Sequence, residues 1–96
     1  MTITEHIYQD RLEVRFKGTL DHTVGAACER AIRHAHALGT KQLQLNLAAV
    51  TAVENVSIGT LCFTLHTVRQ LGIEGRILHA PDSVRTILSE FNAAAS

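Results

Sequence analysis

The sequence predicts an α/β protein: a single small domain with the element order β-β-α-β-α-β-α, whose mixed four-stranded sheet carries its helices mainly on one face. Three observations lead to this fold class. Short segments alternate apolar and polar residues, as half-buried strands do, and longer segments repeat apolar residues every three or four positions, as helices do. Glycines follow two of the helical segments, and the 96-residue chain has no repeat or linker, which indicates one domain over residues 1–96.

A hairpin is predicted at the start of the chain, with its turn at residues 9–11. The second strand follows this turn, because Leu12, Val14 and Phe16 alternate with charged residues. Gly18 ends the alternating pattern.

Two helical segments flank the third strand. Asp21 is predicted to cap the first helix at its N-terminus, and Gly39 is predicted to end it. Residues 41–47, KQLQLNL, alternate leucines with polar residues. Because a parallel strand covered on both faces is apolar throughout, this alternation places the helices mainly on one face. An apolar run ends at Glu54 and Asn55, and a helical pattern then begins with Val56 and Ser57. This second helix runs to about Gln70 and is stopped by Gly72.

A fourth strand and a third helix complete the predicted fold. Residues 73–79, IEGRILH, form the strand, and Pro81 starts the helix, where its missing N–H costs nothing. The buried stripe of that helix is predicted to contain Val84, Ile87, Leu88 and Phe91. Residues 92–96, NAAAS, are predicted to form a frayed end.

Composition and charge argue against several classes of function. Nine basic residues balance nine acidic ones, so the chain offers no attractive field to nucleic acid or to an anionic membrane. The N-terminus lacks the basic start and apolar run of a signal peptide, and no segment approaches the roughly 20 apolar residues of a membrane span. We therefore expect a cytoplasmic protein without membrane insertion.

No cluster in the sequence points to catalysis, a cofactor or a metal. Cys28 and Cys62 fall in apolar helical stripes and are predicted to be buried hydrophobic residues. Of the six histidines, His34 and His36 lie two positions apart on a helix, so their side chains diverge and cannot chelate one ion. The sequence has neither a glycine-rich phosphate loop nor a Gly-x-Ser-x-Gly elbow, so the protein is not expected to be an enzyme.

Three stretches, in order, resemble the STAS domain, a family named for sulfate transporters and anti-sigma-factor antagonists. FKGTLDHTVGAACERAI resembles the family's strand, Gly-x-Leu-Asp turn and first helix, with Asp21 as the aspartate. KQLQLNLAAVTAVENVSIGTL resembles its central strand, short loop and second helix, and GRILHAPDSVRTILSEF resembles its last strand and helix. The resemblance covers nearly the whole chain.

The resemblance also implies a role for the junction between the central strand and the second helix. In the antagonist branch this junction reads Asp-Ser-Ser-Gly, and a partner kinase that is also the anti-sigma factor phosphorylates the second serine. Here Glu54 takes the aspartate position, Asn55 that of the first serine and Val56 that of the phosphoacceptor. Ser57 takes the glycine position, and Asn46 replaces an aspartate at the end of the central strand. The junction thus resembles a phosphorylation switch without its acceptor hydroxyl.

Neither residue at the switch position is suited to accept phosphate. Val56 has no hydroxyl, and Ser57 is turned about 100° around the helix from it, which makes Ser57 a poor substitute. A purely structural alternative stands beside this interpretation. On that alternative Asn55 caps the helix, Glu54 complements the helix dipole and Val56 only packs.

The outer face of the second helix is predicted to bind a partner. The stripe that should face the sheet contains Ile58, Leu61, Cys62, Leu65 and Val68. Val56, Thr60, Phe63 and Thr67 fall on the opposite side. This opposite side carries no charge and includes an aromatic residue, which is typical of interface cores. The alternative is that Phe63 bends over to fill a gap against a neighbouring helix.

We therefore predict a module that docks on a kinase-type anti-sigma factor or a similar ATPase regulator, as a monomer or weak dimer. The predicted partner-binding residues are Asp21, Asn46, Glu54, Asn55, Val56, Ser57, Thr60 and Phe63. Two alternatives stay open: a subunit of a transport ATPase complex, and a sensor that binds a nucleotide or lipid between the first and second helices. An apolar pocket at the junction would favour the sensor, and a convex surface would favour docking.

Overall fold

Seven elements follow one another in the predicted order β-β-α-β-α-β-α. The computed structural model describes residues 1–90. The elements are β1 (Thr2–Ile7), β2 (Arg11–Leu20), α1 (Val24–Leu38), β3 (Gln42–Val53), α2 (Asn55–Gln70), β4 (Glu74–Leu78) and α3 (Asp82–Glu90). The predicted stripe residue Phe91 and the predicted frayed end at residues 92–96 lie outside the described residues.

The sheet is mixed and has four strands in the order β1-β2-β3-β4. β1 pairs antiparallel with β2 through the predicted hairpin, whereas β2 with β3 and β3 with β4 are parallel. The register opposes apolar residues across neighbouring strands, with Ile3 opposite Phe16 and Val14 opposite Leu45. One face of the sheet is therefore apolar, as the alternation predicted.

That apolar face and the three helices enclose one core. The alternating side chains of β2 and β3 on this face are at most 1% exposed, and they are Leu12, Val14, Phe16, Leu43, Leu45 and Leu47. α1 and α2 pack over them, and Val84 and Leu88 bring α3 into the same buried cluster. Arg15, Lys17, Glu74 and Arg76 are exposed on the other face. The predicted one-sided arrangement is confirmed.

Glycine at one position allows α2 to approach β4 closely. A Cβ atom at Gly75 would lie 2.8 Å from Leu65 Cδ2 and 2.8 Å from Val68 Cγ2, which is shorter than side chains tolerate. The absence of a side chain at Gly75 therefore lets two core residues of α2 rest directly on the strand.

The predicted loop after the third strand is wrong. β3 does not end at Leu47 but continues to Val53, paired with β2 as far as Leu20. Two register shifts, between Arg15 and Lys17 and between Gly18 and Thr19, add residues to β3 relative to β2. Such bulges keep a strand paired while changing its twist, which local alternation cannot reveal.

Asp21 makes the hydrogen bonds of the predicted cap, although regular helix starts only at Val24. Its carboxylate accepts the backbone N–H of Thr23 at 2.9 Å and the hydroxyl of Thr23, and its carbonyl accepts the N–H of Val24 at 3.1 Å. The side chain of Thr23, the residue directly before α1, makes no capping hydrogen bond. Cys28 is buried as predicted, whereas Cys62 is only half-buried.

Candidate functional site

The junction between β3 and α2 lies beside the turn that follows β2. Leu20 stands opposite Val53 in the parallel register, and the N–H of Glu54 donates to the carbonyl of Leu20 at 2.9 Å. Because both strands then lead directly toward helices, Asp21 and Glu54 are carried by neighbouring chain segments at the same end of the sheet. The structure thus brings together two of the predicted site residues that are far apart in sequence.

The first turn of α2 is organised around the carbonyl of Glu54. Glu54 occupies the cap position with an extended backbone, and its side chain makes no capping bond. Ser57 donates both its N–H, at 3.0 Å, and its hydroxyl, at 2.6 Å, to that carbonyl. Asn55 is already the first helical residue, so the alternative that Asn55 caps the helix is wrong. The Ser57 side chain is 0% exposed and contributes to the interior.

Two apolar side chains project from the outer side of α2. Val56 is 61% exposed and Phe63 is 66% exposed. The alternatives that Val56 packs in the interior and that Phe63 fills a gap against a helix are therefore wrong. Thr60 lies between them along the helix, and Thr67 lies one turn after Phe63; both are half-buried. The hydroxyl of Thr60 donates to the carbonyl of Val56, and the hydroxyl of Thr67 donates to the carbonyl of Phe63. We call Val56, Thr60 and Phe63 the α2 outer face.

The opposite side of α2 is buried as predicted. Ile58, Leu61, Leu65 and Val68 are at most 5% exposed. Ser57 and Thr64 are buried with them, and the Thr64 hydroxyl donates to the carbonyl of Thr60 at 2.8 Å. Because each polar group on this side is bonded within the helix, α2 has a dry inner side and an uncharged outer face.

Asn46 does not join the other predicted site residues. It pairs with Arg15 in the sheet, roughly 20 Å along β3 from Val53. Its amide group donates to Glu13 Oε2 at 2.9 Å, and its side-chain oxygen accepts the N–H of Ala48 at 2.9 Å. Asn46 therefore belongs to the helix-free face of the sheet, and its polar groups are satisfied there.

A buried carboxylate on the helix-free face was missed from sequence. Glu13 is 6% exposed, and besides Asn46 it accepts hydrogen bonds from Arg15 at 3.1 Å and from Tyr8 at 3.4 Å. The bond from Arg15, followed by that from Asn46, lowers the pKa of Glu13 although burial opposes the shift. Alternation alone assigns Glu13 to solvent, because it cannot show that Tyr8 in the hairpin turn and Asn46 on β3 reach this side chain.

The charge at the junction is acidic. Hydrogen bonds from the hydroxyl and N–H of Thr23 lower the pKa of Asp21, so this carboxylate is ionised at neutral pH. Glu54 is exposed one residue before the helix, where a negative charge suits the positive end of the dipole. The α2 outer face is therefore an uncharged apolar patch that begins beside two carboxylates.

The described part of the chain shows no other site at this location. Residues 1–90 enclose no pocket and contain no cluster of three side chains that could hold a metal ion. Over the same residues, no helix has both the length and the apolar character that crossing a bilayer demands.

Comparison with known proteins agrees with the fold and with the predicted resemblance. The sequence model of the STAS domain matches residues 1–96. SpoIIAA, an anti-sigma factor antagonist, in its unphosphorylated form is similar in structure, with a TM-score of 0.79, 13% identity, and coverage of 99% of this chain and 87% of that chain. The phosphorylated form of SpoIIAA from Bacillus has a TM-score of 0.76 at 13% identity, over 94% of this chain and 83% of that one.

A second kind of protein shows the same fold. A variant of RsbS from Moorella thermoacetica has a TM-score of 0.81 and 18% identity, and the match covers 100% of this chain and 86% of that chain. Among curated proteins, none is significantly similar in sequence. The match to the family over the full length, together with the shared fold, shows that this chain belongs to the STAS domain family.

Proposed function

We propose that this protein is a docking module of the anti-sigma-factor-antagonist type, which binds a protein partner through the start and outer face of α2. One observation carries the proposal: Val56 and Phe63 are 61% and 66% exposed on a helix face without charge. An exposed aromatic residue on an uncharged face is a typical centre of an interface, where most of the binding energy concentrates. The protein acts by binding and catalyses no reaction.

The proposed surface has an apolar centre and an acidic margin. Phe63, Thr60 and Val56 form the centre, and the exposed Asn55 leads from it to the carboxylates of Glu54 and Asp21. A complementary partner offers an apolar recess with basic groups at one side. Ser57 is buried under this surface and stabilises the first turn of α2 through its hydrogen bonds to Glu54. Asn46 is not part of the surface, because it lies on the helix-free face of the sheet.

The comparisons support one class of partner for this proposal. SpoIIAA is described as an anti-sigma factor antagonist, and it shares this fold. We infer that the partner here is a kinase-type anti-sigma factor or a similar ATPase regulator, and that both act in the cytoplasm. Because Val56 takes the position of the phosphorylated serine, the partner cannot release this module by phosphorylating the junction. Binding is then controlled by the amounts of the two proteins.

The small-molecule alternative has less support. It requires an apolar pocket between α1 and α2, and residues 1–90 enclose none. Cys28 of α1 is 1% exposed and Thr64 of α2 is 1% exposed, so the boundary between these helices is filled by side chains. The transport-ATPase alternative uses the same surface and differs only in the identity of the partner.

The test measures binding by variants of the α2 outer face. The partner is first identified by affinity capture from native lysate and then purified for titration calorimetry. We expect Val56→Asp and Phe63→Asp each to weaken binding by at least about tenfold, because a charge is buried without a partner. The melting temperature should stay near that of the wild type, since both side chains are exposed in the free protein.

Leu38→Asp is the matched control. Leu38 is also a large apolar residue, 49% exposed, but it lies at the end of α1. It should leave binding unchanged. If Phe63→Asp unfolds the protein, or if both α2 variants bind as the wild type does, the proposed surface is wrong. Capture of a transport ATPase component in place of an anti-sigma factor would change the partner and keep the surface.

A further inference from the structure

The second half of β3 has a partner strand on one side only. β4 pairs with β3 as far as Leu78, which stands opposite Asn46. β3 continues to Val53 alongside β2, and over residues 1–90 no main-chain hydrogen bond from another segment reaches its other side. We call residues 48–53, with the sequence AAVTAV, the β3 edge.

At its C-terminal end, the β3 edge has main-chain groups that point away from β2. The N–H of Glu54 donates to Leu20 in β2, at 2.9 Å. Because neighbouring residues of a strand direct their N–H and C=O groups to opposite sides, those of Val53 face away from β2. The N–H of Ala48 is already bonded to the side-chain oxygen of Asn46, whereas outward groups such as those of Val53 can pair with another extended strand.

The β3 edge lacks the charged residues that the other edges of this sheet carry. Edge strands normally hold charged residues or proline, which discourage pairing with a second chain. β1 contains Glu5 and His6, and β4 contains Glu74 and Arg76. The β3 edge has no charge and no proline, although Ala48, Ala49, Thr51 and Ala52 are all exposed.

The properties of this segment favour a second copy of the same chain as its partner. When the segment is paired antiparallel with itself, only Ala, Val and Thr face one another, so no like charges meet. The nine basic and nine acidic residues of the whole chain balance, so two copies do not repel each other. A two-fold axis through the pair also closes the assembly at two copies.

We propose that two copies of this protein associate through the β3 edge, antiparallel about a two-fold axis, to form a weak homodimer. The two bulges between β2 and β3 twist this edge and leave only a short run for pairing. The contact is therefore small, and the dimer forms only at high protein concentration. This inference does not depend on the proposed partner, because it uses neither Val56 nor Phe63.

The test compares two threonine-to-lysine variants by sedimentation velocity. We expect the sedimentation coefficient of the wild type to rise with protein concentration between about 10 µM and about 1 mM, the range in which weak contacts form. Thr51→Lys places a charge on the β3 edge and should weaken dimerisation by about tenfold or more. Thr19→Lys is the matched control: Thr19 is exposed and stands opposite Ala52, on the side of β3 that β2 already occupies. It should dimerise as the wild type does.

The NMR spectrum supplies a second readout. Concentration-dependent shifts of the backbone amides should concentrate in residues 48–53, and equal melting temperatures of the two lysine variants show that both are folded. A wild type that stays monomeric throughout this range overturns the proposal. So does a dimer that Thr51→Lys leaves intact, or one that Val56→Asp or Leu38→Asp dissociates, because the contact then lies elsewhere.

Discussion

The hydroxyl at the start of α2 points into the protein. Ser57 is 0% exposed and donates to the carbonyl of Glu54 at 2.6 Å, whereas its neighbour Val56 is 61% exposed. A kinase that recognises this junction meets the side chain of residue 56, because residue 57 lies about 100° further around the helix. Which of the two positions carries a hydroxyl therefore decides whether the junction can be phosphorylated.

Val56→Ser should create a phosphorylation site that the wild type lacks. The new hydroxyl would be exposed in the first turn, where free N–H groups and the helix dipole favour a phosphate. If the proposed partner is a kinase, intact-mass spectrometry after incubation with it and ATP should show one added phosphate on the variant and none on the wild type. Stoichiometric phosphate on Ser57 of the wild type would contradict this assignment.

Glu13 should make the stability of the protein depend on pH in the acid range. Its pKa is lowered from the ordinary value of 4.5, first by the hydrogen bond from Arg15. A carboxylate whose pKa is lower in the folded state stabilises the fold fully above its unfolded pKa, and this contribution is lost as the pH falls through the folded pKa. Glu13→Gln should thus lower the free energy of unfolding at pH 7 by about 1–3 kcal/mol.

Urea melts of Glu13→Gln and the wild type check this prediction. The difference between them should be constant near neutral pH and should shrink below pH 4.5, the ordinary pKa of the group. Glu29→Gln is the control, since Glu29 pairs with Arg33 on an exposed helix face where both side chains are 70% accessible. A pH-independent difference for Glu13→Gln would show that its effect comes from packing.

The contact between α2 and β4 depends on a single backbone position. Gly75 leaves the space that Leu65 and Val68 occupy, and each of them approaches to 2.8 Å of the place where a Cβ would stand. The close approach matters at the scale of the element, because the side of α2 opposite this contact is the α2 outer face. The packing of α2 on β4 at Gly75 therefore determines the direction in which Val56 and Phe63 project from the protein.

Gly75→Ala should destabilise the protein by about 1–3 kcal/mol, since the added methyl group forces two core side chains to move. Gly59→Ala is the matched control within α2, where a Cβ has nothing within 4 Å. It should instead stabilise the protein by about 0.5–1 kcal/mol, because alanine favours helix more than glycine does. Thermal melts should therefore move in opposite directions for the two variants, and shifts of the same sign would contradict the packing described.

Residues 1–90 share one core, to which α1, α2 and α3 all contribute. Val24 in α1, Leu61 in α2 and Leu88 in α3 are each 0% exposed, in the same buried cluster as the inward side chains of β2 and β3. A domain of this size with one core should unfold in a single cooperative transition. The proposed docking surface is therefore only as stable as the entire domain.

Leu61→Ala should lower the free energy of unfolding by about 2–5 kcal/mol through the cavity it leaves. Leu71→Ala, at a site that is 43% exposed, should change it by less than about 1 kcal/mol. Urea transitions followed by far-UV circular dichroism and by Tyr8 fluorescence should coincide for both variants. Separate transitions from the two probes would indicate a part of the sheet that unfolds independently.

Local patterns in the sequence predicted the order of the elements and the buried side of each, except for the second half of β3 and the buried Glu13. Alternation placed Leu43 and Leu45 inward, and helical spacing separated the buried Leu61 from the exposed Phe63. These patterns succeed because the periods of strand and helix are fixed by the backbone, so burial follows from spacing. The pairing of Leu20 with Val53 brings Asp21 near the junction, which no pattern within one segment shows.

Tertiary structure alone decided the features that depend on register between distant segments. The length of β3, the position of Asn46 beside Glu13 and the open β3 edge all follow from pairing with β2 and from where β4 ends. The inward hydroxyl of Ser57 likewise depends on where α2 begins against the core. Periodicity within one segment carries no information on register with another, because bulges and strand ends are set by packing across the whole sheet.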